Sequence, residues 1–94
     1  MRRAGKVEGN QSAIVHELRQ AGCSVWITSG FGQGAPDLVV GARGQTFLLE
    51  VKDPSQVPSK RKLTPDEQEF HDSWHGHIAV VETAEEALRE IFRK

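Results

Sequence analysis

A chain of 94 residues with a formal net charge of −1 and 37% hydrophobic residues has the size of one domain, its core confined to a few strands and helix faces. No apolar run is long enough to span a bilayer and no charged-then-apolar leader is visible, so neither a membrane nor a secreted protein is expected. The single Cys23 excludes an intrachain disulfide framework and fits a reducing, cytoplasmic setting.

Residues 1–9 are polar and charged and are expected to form a flexible arm. Asn10 has the chemistry of a helix N-cap, and the pattern that follows predicts a helix over 11–21, stopped by Gly22. Ile14, Val15 and Leu18 make its apolar stripe, while Glu17 turns to solvent. Gln11 lies in that stripe one turn earlier. An inward amide needs a partner, so Gln11 is either a satisfied core residue or one that reaches a site. Ser24–Thr28 is β-branched and aromatic and reads as a short strand. The glycine-rich stretch 29–35 lacks the Gly-Lys-Ser/Thr of a phosphate loop. A plain loop and a close approach to a ligand backbone both remain open for it.

Residues 36–52 organise the chain. Two apolar strands meet at Arg43-Gly44, with Asp37 at the start and Glu50 and Lys52 at the end. If Arg43 and Gly44 are the central turn residues, Ala42 faces Gln45 and Asp37 lands opposite Glu50. Alternation then puts Asp37, Glu50 and Lys52 on one face. Arg-Gly is a weaker hairpin signal than Asn-Gly or Asp-Gly, and a three-residue bulged loop would shift the pairing by one. Either way the two acids are neighbours. Like charges directly opposite each other destabilise a sheet, so a divalent cation is the natural resolution.

Beyond the hairpin lies a proline-containing basic loop ending in Lys60, Arg61 and Lys62. It is either a solvated surface or a set of phosphate contacts. Thr64-Pro65-Asp66-Glu67 is a capping box that opens a helix reaching to about 74 or 75. Ile78–Val81 reads as a short buried strand. Thr83-Ala84-Glu85-Glu86 is a second capping box, and Ala84, Ala87, Leu88, Ile91 and Phe92 give the last helix its apolar side. The order helix, strand, strand, strand, helix, strand, helix predicts a single α/β domain over residues 1–94. Its sheet would be mixed, of about four strands flanked by helices.

Other chemistries fit less well. His71, His75 and His77 are close in sequence, but no glutamate follows His71 as a His-Glu-x-x-His metalloprotease motif requires. Cys23 sits at a helix end and reads as packing rather than as a nucleophile. Two carboxylates and a lysine remain. Oxygen-only ligands suit Mg²⁺ or Mn²⁺, and such an ion can acidify water and offset charge on a phosphate. That is equipment for cutting a phosphodiester.

Pro36-Asp37 followed by Glu50-Val51-Lys52 resembles the PD-(D/E)XK nuclease superfamily. The wider run through Gly34-x-Pro36-Asp37-Leu38, Leu49-Glu50-Val51-Lys52-Asp53 and Leu63-Thr64-Pro65-Asp66-Glu67 resembles its VRR-NUC branch, particularly the small stand-alone domains of phages and bacteria. The resemblance implies a restriction-endonuclease-like core with Asp37 and Glu50 as metal ligands, the Val51 carbonyl as a third, and Lys52 as the catalytic lysine. Many superfamily members carry a glutamate on the first helix; here Gln11 takes the inward position, a departure that adds no charge. The resemblance further implies Mg²⁺ or Mn²⁺, a DNA substrate such as a four-way (Holliday) junction, a homodimer, and a bacterial or phage-infected cytoplasm. Phe31 and Trp74 are the expected exposed aromatics of a dimer patch, with Trp26 and Phe70 either joining them or filling the core. A binding module of the same fold without turnover is the alternative.

Overall fold

The computed structural model describes residues 9–93 of the chain. The expected arm therefore lies outside the described residues except for Gly9, which opens a helix. The elements are α1 (Gly9–Gln20), β1 (Ser24–Ile27), β2 (Leu38–Ala42), β3 (Gln45–Val51), a 3-10 turn (Pro58–Lys60), α2 (Pro65–Ser73), β4 (Ile78–Val81) and α3 (Ala84–Phe92). One sheet runs in the order β1-β2-β3-β4. Its first two pairings are antiparallel, and β3–β4 is parallel, closed by the crossover that carries α2.

One face of the sheet and two helices make the core. Ile14, Val15 and Leu18 of α1 pack with Leu38 and Val40, Phe47 and Leu49, Val81, and Ala87 and Ile91 of α3. Helix α1 ends as its sequence requires. Gly22 takes φ 94°, and the Cys23 and Gly22 amides donate to the Leu18 and Arg19 carbonyls, closing the last turn. Asn10, however, is not a cap. It lies inside α1, and its side-chain amide donates to the carbonyls of Lys52 (2.8 Å) and Glu82 (3.3 Å). The residue ties the helix start to the ends of β3 and β4 instead of satisfying its own helix.

The other sheet face is thinly covered. Helix α2 buries none of its side chains, and Trp26 and Val80 stand 59% and 43% exposed. So β4 is buried at Val81 but open at Val80, which corrects the expectation of a fully buried strand: alternation sends Val80 to the uncovered face. Trp26 is likewise no core residue; it meets Phe31 edge-on, while half-buried Phe70 stacks on Trp74.

What α2 contributes is its first turn. The Thr64 hydroxyl accepts from the Glu67 amide, and the Glu67 carboxylate accepts from the Thr64 amide, completing the capping box. In α3 the corresponding box opens by one residue. The Thr83 hydroxyl accepts from the Glu86 amide, but Glu86 takes the amide of Glu82 rather than that of Thr83. The glycine-rich loop makes a close approach to the chain's own backbone. Gly34 has φ 81°, and a Cβ there would collide with the Asp66 carbonyl at the start of α2. Gly34→Ala is therefore expected to destabilise the fold by about 2 kcal/mol or more, through both the forced φ and the displaced helix. Chemical denaturation with an unchanged midpoint would contradict this.

Candidate active site

The hairpin places the site. Ala42 pairs with Gln45 and Leu38 with Leu49, so the two-residue turn holds and the bulged alternative does not. Arg43 and Gly44 have φ 53° and 79°, the double left-handed turn that matches strand twist. An arginine tolerates this because its guanidinium donates to the Ile91 carbonyl at 2.9 Å and lies over the Phe92 ring. Past Leu38 the Thr28 amide donates to the Asp37 carbonyl in step with β1–β2, but the Asp37 amide donates to the Leu49 carbonyl, one residue out of step with β2–β3, whose pairing ends at Leu38 and Leu49. Asp37 and Glu50 are still neighbours, with a side-chain hydrogen bond between them.

At this end the Asp37 carboxylate accepts from the Val51 amide at 2.7 Å. Glu50 is 3% exposed, and its Oε1 is buried with no hydrogen-bond partner among the described residues. The Lys52 ammonium lies 3.6 Å from Glu50 Oε2 and 2.8 Å from Glu67 Oε1. Asp37, Val51 and Lys52 line an open cleft of about 330 Å³, together with Asn10, Gln11, Asp53, Gln56 and Lys60.

No family model and no curated protein matches the chain. A solved structure described as a VRR_NUC domain superimposes on 96% of this chain and 98% of its own, with a TM-score of 0.69 at 26% identity. Over nearly its whole length the chain is similar to a VRR-NUC domain. Its mixed four-stranded sheet and flanking helices form a restriction-endonuclease-like core.

The cleft is electrostatically overloaded with acid. Burial, then the Asp37 charge and then Glu67 push the Glu50 carboxyl up to about 9. Burial also raises Asp37, with the Val51 amide and Glu50 offsetting part of the effect. Burial disfavours the Lys52 charge, but the Glu67 hydrogen bond and the charges of Glu50 and Glu67 outweigh it and raise the ammonium above the ordinary value. Burial likewise works to raise Glu67, yet Lys52 and the Thr64 amide hold it lower than usual.

The folded chain keeps a proton on Glu50 that the unfolded chain releases near 4.5. That contribution is complete below 4.5 and is lost as pH rises toward 9. The melting temperature without metal should fall between pH 5 and pH 8. A flat or rising profile in the presence of a chelator would count against the buried, protonated Glu50.

The donor set fits a hard divalent cation. The Asp37 carboxylate lines the cleft and the Glu50 carboxylate is buried beside it, with one oxygen that has no hydrogen-bond partner among the described residues. Among the described residues no group of three or more His, Cys, Asp or Glu is arranged to hold a metal. Mg²⁺ commonly takes one or two carboxylates and keeps several waters, so this is no obstacle.

The remaining expected residues divide. Gln11 is buried and lines the cleft, with its amide 3.5 Å from the Ser29 hydroxyl. Val51 engages Asp37 through its N–H. Lys60 reaches the cleft, while Arg61 lies 3.8 Å from Glu82 and is half-buried. Lys62 is exposed. By sequence Glu67 was placed only as the N3 residue of a capping box and given no part in the site. Only the packing of α2 beside the end of β3 reveals its bond to Lys52.

Proposed function

We propose that this domain is a Mg²⁺- or Mn²⁺-dependent endodeoxyribonuclease that hydrolyses phosphodiester bonds in branched DNA such as four-way junctions. The orphaned Oε1 of Glu50, buried beside Asp37 and next to the Lys52 ammonium, carries the reading. A divalent cation at these oxygens supplies charge neutralisation and acidifies water. Asp37 and Glu50 hold it, with the Val51 carbonyl as the third protein ligand. Lys52 aims its N–H groups at the negative charge that develops on the phosphate, which is worth most in a partly buried site. Gln11 orients water in the cleft without adding charge. Lys60 and Lys62 meet the DNA backbone, and Arg61 contributes only if it leaves Glu82.

Two symmetric cuts in a junction call for a two-fold dimer. Phe31 and Trp74, 63% and 44% exposed, are the material for its patch. The decisive experiment incubates the protein with labelled duplex, flap and four-way junction DNA in Mg²⁺, Mn²⁺ or chelator, with mass measured by light scattering. Paired nicks in the junction that need metal, from a dimer, are expected. DNA binding without cleavage in either metal would leave a binding module; a monomer mass with and without junction would leave a single-strand nickase.

Salt dependence separates the basic residues. Lys60→Ala should lower the log–log slope of duplex binding by about 0.9, the loss of one phosphate contact. Arg61→Ala should leave it nearly unchanged, since its charge is already matched by Glu82. Equal slopes for the wild type and Lys60→Ala would return Lys60 to the solvated surface.

A further inference from the structure

We infer that Glu67 is the positioning residue for Lys52: it fixes the ammonium at the cleft so that Glu50 is free to serve a cation. The inference rests on the nuclease reading above and extends it to a residue outside the Asp37–Glu50–Lys52 motif. Lysine carries a long, flexible stem and three rotatable donors, so a lysine at a strand end does not hold one position by itself. Here its short contact is with Glu67 at 2.8 Å, while Glu50 stands off at 3.6 Å. An acid committed to a metal has little left to offer a lysine. The closer partner must then be the one that stays.

Glu67 is suited to that task because it is itself held. Its Oε1 accepts from the Thr64 amide at 2.9 Å as well as from Lys52, and its own amide is bound by the Thr64 hydroxyl. The helix turn that carries it is in turn seated on Gly34, where only a glycine leaves room for the Asp66 carbonyl. The loop leading into Asp37, the first turn of α2 and the end of β3 are thus joined through one carboxylate. A helix that buries no side chain in the core has this as its visible structural purpose.

The test compares Glu67→Ala, Glu67→Gln and Thr64→Ala in cleavage, melting and NMR of ¹⁵N-labelled lysine ammonium groups, with the Lys52 signal assigned by its loss in Lys52→Arg. Thr64→Ala loses the hydroxyl that binds the Glu67 amide but keeps the Glu67 carboxylate and the Thr64 amide it accepts from, so it should lower the melting temperature and reduce kcat far less than Glu67→Ala does. Glu67→Ala should lower kcat on the order of tenfold to a hundredfold, the cost of a misplaced group, with KM and calorimetric Mg²⁺ affinity unchanged. It should also abolish the slowly exchanging Lys52 ammonium signal. Glu67→Gln keeps an oxygen for both Thr64 and Lys52 and should restore kcat and the signal. The inference is overturned if Glu67→Ala retains kcat and the signal, or if Thr64→Ala loses kcat equally. Should the wild type cleave no DNA, the nuclease reading falls separately. The NMR signal then decides alone: its loss in Glu67→Ala but not in Thr64→Ala supports positioning, and its persistence in both refutes it.

Discussion

Replacing Glu50 with glutamine is expected to raise the melting temperature of the metal-free protein at pH 8, and to remove both Mg²⁺ stabilisation and cleavage. The wild-type residue is an acid buried where burial and neighbouring charges oppose its ionisation, with one oxygen unpartnered. Glutamine occupies nearly the same volume and carries no charge, and its amide can donate to the carboxylates of Asp37 or Glu67. The fall in stability between pH 5 and pH 8 should flatten in the same variant. In the wild type, Mg²⁺ at about a hundred times its Kd should add about 2.7 kcal/mol. For a domain of this size that is a rise of roughly 10–20 °C. Asp37→Ala should lose the same metal effect but without the gain in stability, because Asp37 also satisfies the Val51 amide at 2.7 Å. Differential scanning fluorimetry with and without Mg²⁺ checks all three; a Glu50→Gln variant that Mg²⁺ still stabilises fully would remove Glu50 from the ligand set.

Lys52→Ala should differ in kind. Metal affinity should hold or improve, since a positive charge beside Glu50 is gone. Turnover should fall by about a hundredfold or more, the scale of a lost electrostatic stabiliser in a sequestered site. Stability without metal should fall as well, because Asp37, Glu50 and Glu67 are then left with no cation among them. The opposite stability signs of Glu50→Gln and Lys52→Ala make the pair informative together. Near wild-type cleavage by Lys52→Ala would reduce the lysine to an ion-pair partner.

Much of this was legible in the chain. The hairpin register from Leu38 to Leu49 followed from an even count around Arg43-Gly44, and the two acids just beyond it are neighbours as expected. Both capping threonines and the stop at Gly22 were readable for the same reason: their donors and acceptors lie within a few residues. The inward face of Gln11 came from helical periodicity, and its burial bears that out.

Contacts between residues far apart in sequence went the other way. Asn10 has the composition of a cap, yet its amide is used 42 residues away at the Lys52 carbonyl. Arg61 belongs to a basic run but is turned onto Glu82, and Trp26 and Val80 sit on the thinly covered face of the sheet. Glu67 is the sharpest case, because its cap partner is three residues away and its ion-pair partner fifteen. Sequence by itself determined the elements, the hairpin register and the acid pair, since those depend on periodicity and turn chemistry within a short stretch. Which charges meet across elements was decided only by tertiary packing, because a polar side chain with several nearly equal local choices takes the partner that burial leaves it.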